Sequence, residues 1–598
     1  MNDIIQLLPD HIANQIAAGE VVQRPASVVK ELLENAIDAE ATAIKVLIKD
    51  AGKTLIQVID NGKGMSDTDA RLSFERHATS KLHSTEDLFQ ITTKGFRGEA
   101  LASIAAIAQV EMKSRREEDE LGTLLVINGS EVQKQEPEAV PMGTSVSVRN
   151  IFYNVPARRN FLKSNPVEMR HIIEEFQRVA LAHEQVAFSL YQNDMEVYQL
   201  KGGKLSQRII GLFGKGHQQQ LVPCAEETTR LKITGYVGKP ENAKKTRGEQ
   251  YFFVNHRFIK NNYLNHAVMN AYEGLLADGH YPFYTLFIDL DPKHIDVNVH
   301  PTKTEIKFDD ERTVYGIVRA AVKQALGAHN ITPSLDFESD VNFEAIIKSR
   351  ELAPSRAERD YGQMKSVDRQ KLKNWEQLYE GSMEESKIDL KHDLPALTLG
   401  SAVNQPKVPT FESTALMQIS GGYLVTPVKS GIMWVDVQAA FERVLYEKYL
   451  KCLEQRSGVS QQMLFPQTMS INPADFTLLM DAQQDIEAMG FILETFGKSD
   501  VIIRGVPVDA SNKDPQNLIE ALIEQLKNFS NVPGNKRREH LAQSMARKVA
   551  TKTEKVWEEA EMRGLIDQLF GCQYPNYAPS GNRTHVIMDG QQIENLFN

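Results

Sequence analysis

The sequence predicts a multidomain chain of mixed α/β and α+β class, and three observations carry that prediction. At 598 residues it exceeds what one hydrophobic core supports, and its apolar content is ample for several. Helix and strand patterns alternate through residues 1–220 and again through 221–331, with strand-like runs at Tyr251-Phe252-Phe253-Val254 and Phe283-Tyr284-Thr285-Leu286-Phe287-Ile288. From 332 to 409 the periodicity fades into Glu, Asp, Lys, Arg, Ser and Pro, the composition of a disordered linker. Apolar patterning returns over 410–598 with long helical patterns from Val437 to Cys452 and from His540 to Ala560, which reads as a separate α+β domain.

The most informative stretch is Lys30-Glu31-Leu32-Leu33-Glu34-Asn35-Ala36-Ile37-Asp38-Ala39. On a helix, Glu31, Asn35 and Asp38 fall at i, i+4 and i+7 and share a stripe. Val28, Val29, Leu32, Leu33 and Ala36 form a second, displaced stripe that would hold the element on a core. The polar stripe is then either a solvated surface or a ligand-facing one, in which an Asn offers a neutral oxygen to magnesium and a Glu one turn earlier polarises a water. Leu55-Ile56-Gln57-Val58-Ile59 reads as a strand running into Asp60-Asn61-Gly62-Lys63-Gly64-Met65, where two glycines permit a tight turn and a strand-end carboxylate can accept from an exocyclic amine. Ala78-Thr79-Ser80-Lys81 and Lys94-Gly95-Phe96-Arg97-Gly98-Glu99-Ala100-Leu101 follow, a glycine-punctuated loop opening an alanine-rich helix from Leu101 to Ala108. Free N–H groups at such a helix start cradle phosphate.

In order, the Glu-x-x-x-Asn helix, the Asp-x-Gly-x-Gly turn, the glycine-rich loop and a Gly143-Thr144-Ser145-Val146 strand resemble the ATPases shared by DNA gyrase, heat-shock chaperones, sensor histidine kinases and MutL. Asn14-Gln15-Ile16-Ala17-Ala18-Gly19-Glu20-Val21-Val22, the Gly95-to-Leu101 box and Asn150-Ile151-Phe152-Tyr153-Asn154-Val155-Pro156-Ala157-Arg158-Arg159 are similar to the MutL mismatch-repair family specifically. The resemblance is dense over about the first 330 residues and looser over the last 190 or so. It implies a Bergerat-type ATPase sandwich, a second α/β transducer domain of ribosomal S5-like type, a flexible linker and a C-terminal α+β dimerisation domain.

Residue by residue, the resemblance implies Glu31 as general base, Asn35 as magnesium ligand, Asp60 as reader of the adenine amino group and Thr144 as a further hold on the base. Gly62 and Gly64 shape the turn, while Thr79, Ser80, Gly95, Phe96, Arg97 and Gly98 would close over the phosphates of ATP. Phosphoryl transfer needs positioning and charge neutralisation above covalent chemistry, which this set supplies. Asp38 and Arg97 read equally as helix-anchoring ion pairs. In Asp296-Val297-Asn298-Val299-His300-Pro301-Thr302-Lys303-Thr304-Glu305-Ile306-Lys307-Phe308 the resemblance makes Lys303 the residue reaching the γ-phosphate, against a plain surface lysine. His294 and His300 lack the Cys or carboxylate company of a metal site. The terminal run Ile4-Ile5-Gln6-Leu7-Leu8-Pro9 is either an exchanged dimer arm or a core anchor.

With a formal net charge of -11, contact with DNA must come from local basic patches. The candidates are Lys244-Lys245-Thr246-Arg247, Arg257 with Lys260, and Arg158 with Arg159, each equally a solvated turn. Three scattered cysteines, Cys224, Cys452 and Cys572, suit a reducing cytoplasm. No charged-then-apolar leader opens the chain, and no run approaches the roughly 18 apolar residues of a membrane helix.

In family members that nick DNA, an Asp-Gln-His-Ala-x-x-Glu-x-x-x-x-Glu box holds metal together with downstream cysteine motifs. Here the box reads Asp436-Val437-Gln438-Ala439-Ala440-Phe441-Glu442-Arg443-Val444-Leu445-Tyr446-Glu447, with Gln438 replacing the histidine. Leu541-Ala542-Gln543-Ser544-Met545-Ala546-Arg547 has no cysteine, and Ala578-Pro579-Ser580-Gly581 stands where Cys-Pro-His-Gly would. Asp436, Glu442 and Glu447 remain as hard oxygen donors of a degenerate remnant, the alternative being that Glu442, Arg443 and Glu447 form a structural ion-paired helix face. Gln461-Gln462-Met463-Leu464-Phe465-Pro466 matches the pattern by which repair proteins dock on the sliding clamp, Gln461, Leu464, Phe465 and Pro466 being the contact residues unless Leu464 and Phe465 bury in the domain. The combined expectation is an ATP-driven homodimeric DNA clamp of the bacterial cytoplasm that couples the mismatch sensor MutS to a downstream nuclease or helicase, hydrolyses ATP slowly and lacks a nuclease. A residual nicking endonuclease, a topoisomerase-type ATPase and a chaperone-type ATPase are the alternatives.

Overall fold

A computed structural model describes residues 10–80, 98–277, 279–296, 305–330, 415–419, 422–497, 499–529, 534–551 and 556–595. The first helices are α1 (Asp10–Val21) and α2 (Pro25–Asp38). Proline at the start of α2 costs no hydrogen bond, because the first-turn N–H groups have no intrahelical acceptor. Val28, Val29, Leu32, Leu33 and Ala36 are all buried, so the apolar stripe anchors the helix and Glu31, Asn35 and Asp38 fall on the flank beside it.

Beneath these helices lies an eight-stranded sheet of β1 (Ala43–Lys49), β2 (Leu55–Asp60), β3 (Gln109–Arg115), β4 (Gly122–Asn128), β5 (Glu131–Glu138), β6 (Gly143–Arg149), β7 (Ala187–Gln192) and β8 (Met195–Leu200), ordered β5-β4-β3-β6-β2-β1-β7-β8. All neighbours are antiparallel except β1 and β7. Burial alternates along β1 and β3, the pattern of a sheet covered on one face. That cover comprises α1, α2, α4 (Ala100–Ile107) and α6 (Asn165–Ala182), which share one core cluster with the sheet; α3 (Asp67–Leu72) and α5 (Pro156–Phe161) are short connectors.

After α7 (Leu205–Phe213) comes a second, five-stranded sheet of β9 (Leu221–Glu227), β10 (Leu231–Gly238), β11 (Gln250–Val254), β12 (Arg257–Ile259) and β13 (Tyr284–Leu290), ordered β12-β11-β13-β10-β9. It shares a core with α8 (Asn262–Ala271) and α9 (Glu311–Asn330). In the C-terminal region a four-stranded sheet contains Tyr423–Val428, Gly431–Asp436 and His585–Met588, and a three-stranded sheet places Asp500–Pro507 between Ser460–Ser470 and Ile492–Phe496. The helix α10 (Val437–Gln455) runs three residues past the expected Cys452 and stops where Arg456 turns left-handed at φ 53°. The expected helix from His540 to Ala560 is corrected: one helix ends at Val549, and a new one starts at Glu559 because Glu558 and Glu561 form a reciprocal capping box. Among the described residues no helix is long and apolar enough to cross a membrane.

On α6, Glu174 sits among basic side chains: Arg170 at 2.9 Å, His171 at 3.6 Å and Arg178 at 3.9 Å. Burial alone would raise its pKa, but His171, Arg170 and Arg178 outweigh that and hold it at about 2. A carboxylate held below its unfolded value contributes stability that is complete above about pH 4.5 and is lost as pH falls toward 2. Glu174→Gln is therefore expected to lower Tm at neutral pH and to flatten its fall between about pH 4.5 and 2, so that variant and unmodified protein converge in acid. An unchanged acid slope would remove Glu174 from the account.

Candidate nucleotide-binding site

The site begins where β2 ends. Asp60 pairs with Thr144 of β6, and Thr144 pairs with Ser114 of β3, so three adjacent strands present their polar ends side by side. Asp60 Oδ1 accepts from the Gly62 N–H at 2.9 Å and the Thr144 N–H at 3.2 Å. Burial pushes the Asp60 carboxyl above its ordinary range, and those two hydrogen bonds oppose the shift. The Thr144 and Ser114 hydroxyls lie 2.9 Å apart, and Ser114 Oγ accepts from Met65 N–H at 2.9 Å. The strand ends approach so closely that only glycine fits at two points. A Cβ on Gly64 (φ 69°) would lie 2.1 Å from the Arg115 carbonyl oxygen, and one on Gly143 (φ 110°) would lie 2.1 Å from that of Asp60.

The α2 helix, whose C-cap Ala39 O accepts from Lys63 N–H at 3.0 Å in the turn after Asp60, carries Glu31, Asn35 and Asp38, all half-buried. Thr79 and Ser80 follow His77, whose N–H donates to Gly98 O at 3.1 Å, which brings this segment beside the start of α4. Glu99 precedes α4 without a side-chain cap, so its first-turn N–H groups are not taken up by a capping side chain. Gly95, Phe96, Arg97, His300, Lys303 and the run from Ile4 to Pro9 lie outside the described residues.

Ser114 was not singled out by sequence reasoning. It sits in Lys113-Ser114-Arg115 at no motif spacing, and its place against Thr144 is a product of the β3–β6 register. Asn61 serves the fold, its Oδ1 accepting from Thr42 N–H at 2.9 Å and Ala43 N–H at 2.8 Å. His294 pairs with Asp309 at 3.0 Å, and no cluster of three metal-ligating residues occurs among the described residues.

Two basic candidates turn inward. Arg158 packs against Gly19, where even a Cβ would clash with its guanidinium, and Arg257 is half-buried near the α2 carboxylates. Lys244 pairs with Glu249 at 2.7 Å, whereas Arg159, Arg247 and Lys260 are exposed.

At the C-terminal box, the carboxylates are engaged with protein groups. Asp436 precedes the helix, and its Oδ1 caps α10 by accepting from Ala439 N–H at 3.0 Å. Glu442 is 3% exposed and its Oε2 accepts from Ser580 at 2.9 Å, while its Oε1 has no hydrogen-bond partner. Glu447 accepts from the Gln573 and Tyr574 N–H groups at 2.7 and 3.2 Å and faces Arg443 at 3.7 Å. Gln543 donates to Pro579 O at 2.9 Å. Cys572, next to Glu447, is a thiol pushed up to about 11 by burial and by that carboxylate, with Arg443 opposing.

Residues Gln461 to Pro466 lie in an edge strand whose pairing with the central strand breaks between Gln462 and Gln467. Leu464 is 93% and Phe465 84% exposed, which overturns their burial in the domain.

Comparison with known proteins agrees in order along the chain. Residues 23–151 match the family described as histidine kinase-, DNA gyrase B-, and HSP90-like ATPase. Residues 209–327 match the DNA mismatch repair protein C-terminal domain, and 416–557 the MutL C-terminal dimerisation domain. The fold and the site thus define an ATPase of the gyrase and HSP90-like class joined to a dimerisation domain. The DNA mismatch repair protein MutL of Flavobacterium psychrophilum is 46% identical over 612 residues, that of Christiangramia forsetii 46% over 624 and that of Bacteroides fragilis 43% over 625, each covering all of both chains. The chain belongs to the MutL family of DNA mismatch repair proteins. Full-length relatives of this kind replace the topoisomerase and chaperone alternatives.

Proposed function

We propose that this chain acts in mismatch repair as a dimeric, ATP-driven clamp on DNA that couples recognition by MutS to a separate nuclease or helicase in the bacterial cytoplasm, without cutting DNA itself. Glu31 activates the attacking water, Asp60 with Thr144 and Ser114 reads adenine, and Thr79, Ser80 and the α4 N-terminus hold phosphate. Asn35 offers an amide oxygen on the same stripe as Glu31, a hard neutral donor that fits magnesium completed by phosphate oxygens and water. Bound there, magnesium would supply charge neutralisation. Lys303 and the Gly95-to-Arg97 loop retain their assignment from the family pattern alone.

The observation that carries the absence of cutting is the rewired C-terminal box. Asp436 caps a helix, and Glu447 is taken up by two backbone N–H groups and Arg443. Serine and glutamine occupy the positions of imidazole and thiolate and make hydrogen bonds within the protein. A residual nicking site is the second reading, favoured by the unpartnered Oε1 of Glu442. Purified protein with supercoiled plasmid, manganese or magnesium, ATP and sliding clamp is expected to leave the plasmid intact. Nicking that disappears in Asp436→Asn would establish the second reading instead.

The exposed Leu464-Phe465 pair, followed by Pro466 on an unpaired bulge, supports docking on the sliding clamp, with Gln461 at the rim of the contact. Leu464→Ala with Phe465→Ala is expected to weaken binding to purified clamp by at least about tenfold, since buried apolar anchors dominate such contacts. Because neither side chain packs in the fold, Tm should hold; equal clamp affinity by surface plasmon resonance would refute the assignment.

A further inference from the structure

We propose that Arg257, carried by the second sheet, is a positioning residue for ATP hydrolysis: its guanidinium fixes the edge of the α2 carboxylate stripe, so hydrolysis proceeds only while the β11–β12 hairpin is seated on α2 and α6. This rests on the reading of Glu31 as the water-activating base.

The hairpin is built to place one side chain accurately. Asn255 and His256 adopt φ 48° and 61°, the left-handed pair of a two-residue type I′ turn, and Val254 pairs directly with Arg257 across it. Asn255 clamps the turn to β13, its Oδ1 accepting from Leu290 N–H at 3.1 Å and its Nδ2 donating to Leu290 O at 3.0 Å. On the far side, His256 Nδ1 meets Ala182 O of α6 at 3.2 Å and its ring stacks on His183 with centroids 6.2 Å apart. Phe258 lies under the Arg178 guanidinium at 4.4 Å. A cavity of about 40 Å3 separates hairpin and helices, lined among others by Lys30, Glu34, His183, Arg257 and Phe258.

The geometry of α2 says which side of the stripe the hairpin touches. At 3.6 residues per turn, Glu34 is turned about 60° from Glu31 and Asp38 about 20° in the same sense, whereas Asn35 is turned about 40° the other way. Lys30 and Ile37, which line the cavity, lie further round on the Glu34 side. The hairpin therefore occupies the Glu34 side and leaves the Asn35 side for nucleotide. The fields at Arg257 agree: burial acts against its charge, and Glu34, Asp38 and then Glu31 support it, in that order.

Three carboxylates within two helical turns repel one another. Lys30, 3.9 Å from Glu34, belongs to the same helix and is present whatever the second sheet does. Arg257 differs because it arrives on another sheet, and a planar fork can span two carboxylates where an ammonium contacts one. Loss of the seat would remove a charge from the catalytic stripe without disturbing the adenine site at Asp60, which lies on different strands. That predicts an effect on turnover separate from nucleotide affinity.

The test uses the full chain. Arg257→Gln is expected to lower kcat about tenfold with KM and the Kd for a non-hydrolysed ATP analogue within about threefold, and Arg257→Lys to recover most of the loss. Glu34→Gln, which removes the α2 partner while keeping Arg257 and the hairpin sequence intact, should give a similar kcat-selective loss, and the double variant should be no worse than the poorer single one. Normal kcat in Arg257→Gln, additive losses in the double variant, or a loss of kcat accompanied by weaker nucleotide binding and no rescue by lysine would each overturn the inference. If Arg257→Gln does not fold, Glu34→Gln decides: a folded Glu34→Gln protein with wild-type kcat overturns it. Glu31→Ala separates this from the underlying reading. Hydrolysis surviving in Glu31→Ala defeats the base assignment, whereas an inactive Glu31→Ala beside a fully active Arg257→Gln defeats only the role of Arg257.

Discussion

Glu31→Ala is expected to reduce ATP hydrolysis by about 10²–10⁴-fold, the usual contribution of a positioned general base, while ATP binding stays within about threefold. The carboxylate is half-buried on α2, one turn before Asn35 and on the flank adjoining the buried stripe of Val28, Leu32 and Ala36. Alanine is the best helix former and none of that stripe is altered, so α2 should persist. Asp60, Thr144 and Ser114 sit on β2, β6 and β3 and are untouched, which is why affinity and turnover should separate. The measurement is single-turnover phosphate release beside binding of a fluorescent, non-hydrolysed ATP analogue. Turnover within tenfold of the unmodified protein would mean that some other group activates water; loss of binding together with turnover would mean that Glu31 holds nucleotide rather than attacking it.

The readings that succeeded from sequence were those with local causes. The α2 stripes follow from 3.6-residue periodicity, and the helix ends at Asp38 with Ala39 N–H bonded back to Asn35 and Ile37 carbonyls. The strand from Leu55 extends one residue further, to Asp60, and the glycines after it mark a turn whose neighbours leave no room for a Cβ. What sequence did not reveal was set by register. Ser114 joins the site because β3 pairs with β6, and Arg257 approaches α2 because a hairpin over two hundred residues later is seated there. Neither position has a spacing signal, since residues on different strands need no fixed separation along the chain.

The C-terminal region illustrates the other limit. A pattern of lost ligands was visible, but not the use to which the survivors are put. Asp436 stands just before the helical pattern that opens at Val437, and the strand ending at that position makes it a cap rather than a metal donor on the helix. The long pattern from His540 to Ala560 preserves apolar periodicity across a boundary, and only the Glu558–Glu561 box marks where a new helix starts. Leu464 and Phe465 are apolar and were equally consistent with burial; a break in strand pairing leaves them in solvent.

Asp60→Asn should weaken ATP binding by about 100-fold, or about 2.7 kcal/mol, the scale of leaving a charged hydrogen-bonding partner replaced by a mismatched one. The two backbone donors, Gly62 and Thr144 N–H, converge on Oδ1, and an asparagine carbonyl oxygen can accept both. The turn and the strand pairing are therefore preserved. The change falls on the second oxygen, which becomes an amide donor where the adenine amino group, itself a donor, must be recognised. Two facing donors cannot bond, and both lose water on contact. Guanine presents a carbonyl oxygen at the corresponding ring position, so the same substitution should narrow the preference for ATP over GTP as it lowers ATP affinity. Titration of the variant with fluorescent analogues of both nucleotides checks this: unchanged affinity would take Asp60 out of base recognition, and equal loss for both nucleotides would assign it to holding the site's shape.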